Sequence, residues 1–373
     1  MYKTIEELVD KIDERNSDES ISELLGVSID KCFIKSVANT NGTDLSKYKI
    51  IRKNDFAVSL MQVSRDSKIP VARLEEYDVA IMSPAYPVFR VKDEKVILPE
   101  YLDMWFKRSE FDREAAFIAV GGVRGSMPWE EFSKMKLPVP SIEEQRKIVQ
   151  AYRVVADRIS LKKQINDNLE AQMRAYFKEY IKNNTSTTGK LKDYSVMQYG
   201  YTETATLAPV GPKFLRITDI AQSYIDWTRV PYCSITNENY KKYVLSEGDV
   251  VVARTGATVG YAKMIGKNIP DSVFASFLVR IRPTDVEYKY YFGLMITSAE
   301  FFEFVQTNAG GSAQPQANPP LLGEYEFPIP NKQSLAEFNN KVVAFLSVIE
   351  CNEAEISKLI DVKDTMVTML SRS

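Results

Sequence analysis

Histidine is absent from this sequence of 373 residues. Imidazole is a common general base at neutral pH and a frequent metal ligand, so its absence excludes every site that depends on it. Carboxylate chemistry remains open, so the chain can still be an enzyme. The absence nevertheless lowers the expectation of catalysis.

Cysteines and long apolar runs are also scarce. The three cysteines, Cys32, Cys233 and Cys351, are scattered without the spacing of a metal site. We therefore expect buried, reduced thiols in a cytoplasmic protein. No run approaches the roughly 20 apolar residues of a membrane helix, and the charged residues 1–16 lack a signal-peptide core. We expect no membrane partner.

An excess of one charge is lacking too, because the formal net charge at pH 7 is −2. A polyanion would therefore have to be bound by local clusters of basic residues. Hydrophobic residues make up 45% of the chain, which is enough for more than one core. The length alone predicts two or three domains.

The sequence does contain a long internal repeat. LPVPSIEEQRKIV, residues 137–149, is answered by FPIPNKQSLAEFNNKVV, residues 327–343, with the prolines 190 residues apart. Residues 89–91 (FRV) match residues 279–281 (VRI) at the same offset. A repeat of this length is too long for a solenoid unit and predicts a duplicated domain.

Each repeat ends in a predicted long helix. Ser141 and Glu144 form a capping-box pattern after the first proline step. Apolar residues then recur at heptad spacing in both copies, and Lys162, Asn166 and Asn352 are polar positions in the stripe. This pattern predicts an intramolecular coiled coil, a spacer of defined length. The alternative is that each helix packs on its own globular segment.

The globular segments are predicted to be mixed α and β. Strand-like and helix-like runs alternate with turns, and the polar, breaker-rich residues 183–190 mark the exit from the first helix. The predicted strands are 56–61, 249–253 and 274–281, and the predicted helices are 4–14, 101–111 and 288–304.

Polar residues follow a predicted strand at equivalent places in the two copies. In VVARTGATVGYAKMIG, residues 251–266, glycines allow close backbone approach, and the polar side chains suit phosphate and base-edge contacts. The candidate DNA-binding residues are Arg254, Thr255, Thr258 and Lys263 in the second copy and Gln62, Arg65 and Lys68 in the first. An ordinary polar hairpin explains the spacing equally well.

A glycine-led loop precedes each helical unit. Gly121-Gly122 leads into Arg124, and Gly310-Gly311 leads into Gln314 and Gln316. Arginine and glutamine suit bidentate contacts to guanine and adenine edges. We add these three side chains to the candidate DNA-binding residues.

Motifs of catalysis are incomplete. Residues 318–321, NPPL, resemble the base-binding loop of adenine amino-methyltransferases, but a leucine replaces the aromatic residue. No glycine-rich turn for a methyl donor lies upstream, so a loop before a helix is the better interpretation. The acidic residues near Asp285 are interpreted as solvated charge beside a turn, and we predict no metal site.

Two variable segments, each closed by a hydrophobic–Pro–hydrophobic–Pro step into a long helix, resemble the specificity subunit of a type I restriction–modification system. The resemblance covers essentially the whole chain. LPVPSIEEQRKIV is similar to the helix-start motif of that family, and VVARTGATVG to another of its segments. The second copy departs from the motif, because Ser334-Leu335 replaces the Glu144-Gln145 pair.

The resemblance implies an α+β fold with a pseudo-two-fold repeat of about 190 residues. Two mixed α/β target recognition domains would occupy residues 1–140 and 186–330. Helical spacers would occupy residues 141–185 and 331–373 and would form an antiparallel coiled coil.

The resemblance also implies a function. Each domain would read one half of a bipartite double-stranded DNA target, and the helices would set the distance between the halves. Two modification (methyltransferase) subunits would dock on the chain, for which Glu144, Gln145 and Arg146 are the candidates, and restriction subunits would join them.

Catalysis and cofactors would belong to those partners. S-adenosylmethionine, ATP and Mg²⁺ are expected in the partner subunits, and no cofactor, metal or catalytic residue is expected in this chain. The alternatives are a coiled-coil scaffold with two protein-binding domains and a stand-alone DNA-modifying enzyme.

Overall fold

The computed structural model describes residues 1–36, 43–61, 63–119, 125–222, 224–309 and 316–370. The chain forms two compact units. The first unit contains Met1–Ile159 and Leu359–Ser373, and the second contains Ser160–Lys358. Each unit therefore combines one globular segment with parts of both long helices.

The globular part of the first unit contains ten strands and five α-helices among its described residues. The strands are β1 (Tyr2–Thr4), β2 (Val9–Ile12), β3 (Leu24–Val27), β4 (Phe33–Lys35), β5 (Lys49–Arg52), β6 (Phe56–Val58), β7 (Val71–Arg73), β8 (Val79–Met82), β9 (Val88–Val91) and β10 (Lys136–Pro138). The helices are α1 (Ile5–Leu8), α2 (Val63–Asp66), α3 (Pro99–Phe106), α4 (Ser109–Ile118) and α5 (Trp129–Lys134).

The long helix α6 (Ile142–Asn184) leads into the second unit, and a second long helix, α13 (Lys332–Met369), follows its globular part. The strands between them are β11 (Thr185–Lys190), β12 (Ser195–Tyr199), β13 (Lys213–Leu215), β14 (Val250–Ala253), β15 (Ala262–Met264), β16 (Ser272–Phe274), β17 (Leu278–Pro283) and β18 (Glu326–Pro330). The helices between them are α7 (Leu191–Tyr194), α8 (Ile217–Ile220), α9 (Asn237–Tyr243), α10 (Lys289–Ile296), α11 (Ala299–Asn308) and α12 (Pro319–Gly323).

A four-stranded antiparallel sheet of the same topology lies at the centre of each unit. Its order is β2-β9-β6-β7 in the first unit and β12-β17-β14-β15 in the second. Strand β14 is buried on both faces: Val250 and Val252 face one core, while Val251 faces the other. This alternation follows from the two-residue period of a strand and explains why the run is continuously apolar.

The two units differ in the layer that flanks this sheet. The first unit has a further four-stranded sheet, β4-β3-β8-β5, whereas the second has the parallel pair β13-β16. The four-stranded sheet that both units share and the part that differs between them therefore lie in separate layers.

An antiparallel strand pair joins the beginning of each globular segment to its end. Strand β1 pairs with β10, and β11 pairs with β18. In each unit a tyrosine hydroxyl connects a helix to the exit strand, the strand (β10 or β18) that ends the globular segment. Tyr101 of α3 donates to the Pro138 carbonyl at 3.3 Å, and Tyr291 of α10 donates to the Pro328 carbonyl at 2.5 Å. Helix α6 ends at Asn184, within residues 183–190, which the sequence predicts as the exit from this helix, and Thr185–Lys190 forms β11.

A buried ion pair shows how the two sheets correspond. Asp55 binds Arg90 at 2.5 Å, and Asp249 binds Arg282 at 2.6 Å, with each aspartate side chain 1% exposed. The counterpart of Arg90 is therefore Arg282, which is 282 − 90 = 192 residues later. The sequence alignment that pairs Arg90 with Arg280 is wrong by two residues at this strand.

The predicted N-terminal helix is also wrong. Only Ile5–Leu8 is helical, and Val9–Ile12 forms β2, which pairs with β9. The local amphipathic pattern favours a helix, but pairing with a distant strand buries Val9 in the sheet and overrides it. The helices predicted at 101–111 and 288–304 exist as two pairs, α3 with α4 and α10 with α11.

The long helix α6 begins where the sequence predicts. The Ser141 hydroxyl oxygen accepts a hydrogen bond from the Glu144 amide at 3.3 Å, which satisfies one of the free N–H groups of the first turn. In the first unit, Val149 near this start shares a core with Leu370, which follows the end of α13. The two long helices therefore lie together in this unit.

In the second unit the same helices run antiparallel, as the predicted antiparallel coiled coil requires. The Tyr180 ring lies 4.3 Å from the Phe338 ring, whereas Lys162, earlier on α6, bonds Asn352, later on α13. The alternative of domain packing is also true in part, because Phe177 lies 5.2 Å from the Tyr291 ring of α10. Helix α6 thus contributes to the seam and to the core of the second unit.

The polar seam positions contact one another. Asn352 donates to the Asn166 amide oxygen at 2.7 Å, and Lys162 donates to the Asn352 amide oxygen at 2.8 Å. The Lys162 amine also pairs with Glu355 at 2.8 Å. A buried polar contact is satisfied in only one register of the two helices, so this cluster fixes their alignment.

The cysteines differ from expectation. Cys233 is buried, but Cys32 and Cys351 are exposed free thiols, so the prediction of buried thiols is wrong for two of the three. Within the described part of the chain, no helix is both long and apolar enough to cross a membrane.

The polar contacts between the two long helices lead to a testable prediction about stability. Asn352→Leu leaves the buried Asn166 amide without its partner and should lower the free energy of unfolding by about 1–3 kcal/mol. Replacing both asparagines with leucine removes both polar groups and should recover most of that loss. Urea unfolding followed by circular dichroism measures the difference.

Gln164→Leu, at an exposed position of the same helix, is the matched control. If the single and double variants unfold at the same urea concentration as this control, the cluster does not fix the register.

Candidate nucleic-acid interface

The two candidate segments of the second unit are joined in the structure. The chain leaves β14 at Arg254 and Thr255, and Thr255 forms an antiparallel bridge with Gln316. The amide of Ala317 donates to the Arg254 carbonyl at 2.9 Å. The stretch after the strand and the end of the glycine-led loop therefore form one surface.

The first unit repeats this connection. The amide of Met127 donates to the Leu60 carbonyl at 2.9 Å. Met127 and Ala317 are separated by 317 − 127 = 190 residues, so Leu60 occupies the position of Arg254. The backbone frame is the same, while the side chain at its centre changes from apolar to cationic.

The candidates of the first unit lie on this frame or beside it. Gln62 and Arg124 lie outside the described residues. Arg65 belongs to α2, for which only its backbone is described, and Lys68 is exposed just after that helix. The DNA-binding role of all four remains a prediction.

In the first unit, the chain that follows Lys68 is held in place by the buried ion pair between Asp112 and Lys31, which no local sequence pattern indicates. The Ile69 amide donates to the Asp112 carboxylate at 3.0 Å, and Asp112 pairs with Lys31 at 2.7 Å. These residues are distant in sequence, which is why sequence reasoning missed them. Asp112 on α4 thereby positions the chain segment that contains Arg65, on α2, and Lys68, just after that helix.

In the second unit, the equivalent loop is held by a hydrogen bond from a glutamine side chain instead of by an ion pair. Gln306 of α11 donates to the Val259 carbonyl at 2.6 Å. Between this anchor and Arg254, the chain makes a tight turn through Gly256, whose φ of +78° favours glycine. Thr258 ends the turn half-exposed, and Gln314 lies outside the described residues.

Lys263 is in a different environment. It lies on β15 opposite Val251, and burial lowers the pKa of its amine, against the opposite effect of the Glu170 and Glu353 carboxylates. Those carboxylates belong to the two long helices. The structure therefore places Lys263 beside helix carboxylates rather than beside Arg254, and its DNA-binding role remains a prediction.

Glu353 has the most strongly perturbed carboxylate of this group. Burial, and then the nearby Glu170 and Glu350 carboxylates, raise its pKa to about 7, while Lys263 acts in the opposite direction. The ordinary value for a glutamate is 4.5. The folded state therefore binds more protons than the unfolded state between these two values, and this contribution to stability is lost as the pH rises through about 7.

Glu353→Gln mimics the neutral form and should remove this pH dependence. We expect the variant to have a higher thermal midpoint than the parent chain at pH 8, with a difference that shrinks towards pH 5. Thermal unfolding at a series of pH values measures it, with the exposed Glu337→Gln on the same helix as control. A difference that is equal at both pH values would contradict the assignment.

The candidate docking residues divide into two groups. Glu144 and Arg146 are exposed, but Gln145 is fully buried. The side-chain oxygen of Gln145 accepts a hydrogen bond from the Leu98 amide at 2.9 Å, and its side-chain amide nitrogen donates to the carbonyls of Val96 at 2.9 Å and Pro140 at 3.0 Å. Its polar atoms are therefore used to seat the helix start on its own domain.

The second copy achieves the same seating without an amide. Leu335, which occupies the position of Gln145, is buried in the core of its unit. The preceding Ser334 shares a hydrogen bond with Tyr180 at 2.6 Å. Sequence reasoning interpreted the glutamine as a surface residue because burial cannot be read from a single polar side chain. The docking role of Glu144 and Arg146 remains a prediction.

Gln145→Leu separates seating from docking. The change leaves the Leu98 amide and two carbonyls without partners, so it should lower the free energy of unfolding by roughly 2 kcal/mol or more. Exposed Glu143→Leu, two residues earlier, should have little effect. Urea unfolding measures both. A Gln145→Leu chain that is as stable as the control but fails to assemble with its partners would instead indicate direct docking.

The methyltransferase-like NPPL segment has a structural explanation. The Asn318 side-chain oxygen accepts from the Leu321 amide at 2.9 Å and caps α12, whose first residue is Pro319. The interpretation of residues 318–321 as a loop before a helix is wrong for three of the four, because only Asn318 precedes α12 and Pro319, Pro320 and Leu321 lie in it. In the part of the chain that the structure describes, no group of three or more potential ligands could hold a metal ion.

In both units, the stretch after the central strand β6 or β14 is hydrogen-bonded to a segment that precedes the exit strand. The chain belongs to the type I restriction modification DNA specificity domain family, whose model matches residues 2–171 and 179–361. The sequence-based expectation of this family is confirmed, together with the α+β fold of two domains and two long helices.

Known proteins with similar sequence or structure agree with this family. The chain is 22% identical over 270 residues to the type I restriction enzyme MjaVIII specificity subunit of Methanocaldococcus jannaschii; the match covers 64% of this chain and 62% of that protein. The S subunit of the type I restriction-modification system from M. genitalium superposes with a TM-score of 0.57 at 14% identity, covering 100% of this chain and 96% of that one. The latter shares the fold.

Proposed function

We propose that this chain is a DNA-recognition subunit that reads a bipartite target, one half per globular domain, and directs associated methyltransferase and restriction subunits to it. The observation that carries the proposal is the joining of two loop segments on one frame in both units. Met127 bonds Leu60 in the first unit, and Ala317 bonds Arg254 in the second. The frame is constant and the side chains vary, as expected for two surfaces that read different sequences.

The composition and the family support a division of labour between this chain and its partners. Two modification subunits supply the methyl-transfer chemistry with S-adenosylmethionine, and restriction subunits use ATP and Mg²⁺. This chain is non-catalytic in the proposal and acts in the cytoplasm, where its DNA target and its partners are found. Residues 1–140 and 186–330 are the recognition domains, and residues 141–185 and 331–373 are the spacers.

The charge of the chain predicts how it binds. A net charge of −2 is unfavourable for tight non-specific binding to a polyanion, so part of the phosphate contact comes from the partner subunits. The isolated chain should bind duplex DNA weakly and with a strong dependence on salt. The assembled complex should bind its target tightly at the same salt concentration.

The test is a methylation map. The chain is co-expressed with the modification subunit encoded beside its gene in a host without DNA methylation, and modified adenines are located by long-read sequencing. The proposal predicts a split motif that requires both proteins. Assembly with the partner but no methylated motif would contradict it and favour the scaffold with two protein-binding domains.

A further inference from the structure

We propose that Arg254, held by the ring of Tyr199, reads a guanine in the half-site of the second domain, and that the first domain has no such reader. This inference rests on the proposed function and adds to it one residue, one base and an asymmetry between the two halves.

The backbone of Arg254 is fixed on both sides. Its amide donates to the Phe277 carbonyl at 3.0 Å, and its carbonyl accepts from the Ala317 amide at 2.9 Å. The residue is thus held between two chain segments at the end of β14. The root of its side chain has a defined position, as a base-reading residue requires.

The guanidinium is oriented by an aromatic ring. Its central carbon lies 4.8 Å from the centre of the Tyr199 ring, and Nε is buried without a hydrogen-bond partner. A guanidinium that lies over an aromatic face keeps its donors in its own plane, away from the ring. The terminal nitrogens are then available to a ligand at the edge of that plane.

Arg254 also lacks a carboxylate partner of the kind that Arg216 and Arg282 have. Arg216 pairs with Asp219 at 2.9 Å, and Arg282 pairs with Asp249 at 2.6 Å. Arg254 makes no ion pair with any residue that the structure describes. No described carboxylate therefore neutralises its charge. The neighbouring residues Tyr199 and Phe277 are 41% and 55% exposed, so this surface is open to solvent.

The chemistry that this arrangement fits is the major-groove edge of guanine. The O6 and N7 atoms of guanine are two adjacent acceptors, and a planar guanidinium binds both at once. A phosphate would accept the same donors, but a phosphate contact carries no sequence information, so its loss would weaken binding to all sequences about equally. The guanine assignment therefore predicts a loss of preference at one base pair rather than a uniform loss of binding.

The first domain has neither member of this pair. Leu60 occupies the position of Arg254, as the shared backbone hydrogen bonds show. Asp13 follows β2 at the position that Tyr199 takes on β12, because Ile12 pairs with Val88 where Gln198 pairs with Arg280. A leucine cannot donate a hydrogen bond to guanine, so the first half-site must be read by other side chains.

The test compares methylation maps of the complete chain with its modification subunit. Arg254→Ala and Arg254→Lys should both relax one G·C position of the second half-site. A bidentate contact contributes about 1–3 kcal/mol of discrimination, so preference at that position should fall by roughly 5- to 150-fold. The first half-site should not change.

Two further variants locate the effect. Tyr199→Leu removes the ring that orients the guanidinium and should relax the same position, whereas Tyr199→Phe keeps the ring and should not. Leu60→Ala, at the equivalent position of the first domain, is the matched control and should leave the second half-site unchanged. An intact first half-site in the Arg254 and Tyr199 variants also reports that the chain remains folded and assembled.

The outcomes separate this inference from the proposed function. A parent chain that directs no split motif overturns both. A split motif with no guanine in its second half, or one that Arg254→Ala or Arg254→Lys leaves unchanged, overturns the inference while the proposed function stands.

Discussion

The antiparallel strand pair that closes each globular segment is the constraint on which the rest of the structure depends. Strand β10 leaves the first domain beside β1, where that domain begins, and β18 leaves the second domain beside β11. The chain therefore enters and leaves each domain at one place and continues directly into a long helix. Sequence between the two strands can therefore vary without moving the helix wherever it does not contact the helix, as Val96 and Leu98 do through Gln145.

The parts of the fold that depend on local or periodic patterns could be predicted from the sequence. The proline steps, the cap at Ser141 and the heptads locate the long helices, because each pattern uses only neighbouring turns. The polar seam positions Lys162 and Asn352 do meet. Strand β2, in a stretch predicted to be helical, and strand β11, which was not predicted, are strands because of partners far along the chain, which a single sequence does not display.

The candidate site divides in the same way. Glycine-rich polar loops after a strand indicate the surface, and the structure joins the two predicted segments of the second unit at Thr255 and Gln316. The remaining candidate residues differ in whether their side chains are buried or exposed, which the sequence alone does not show. Gln145 is polar but buried, and its three hydrogen bonds are made within its own domain. The positioning of Arg254 by Tyr199 involves residues on different strands and could not be found without the sheet register.

The central claim is that two copies of one frame each read one half of a DNA target. The most direct test is a chain in which residues 2–138 are replaced by residues 188–328, joined at the strand pairs Tyr2↔Pro138 and Thr188↔Pro328. Both domains of that chain would carry the second specificity. With the modification subunit present, the account predicts a methylated motif made of two inverted copies of the second half-site. An assembled, active complex that still methylates the original asymmetric motif would contradict it.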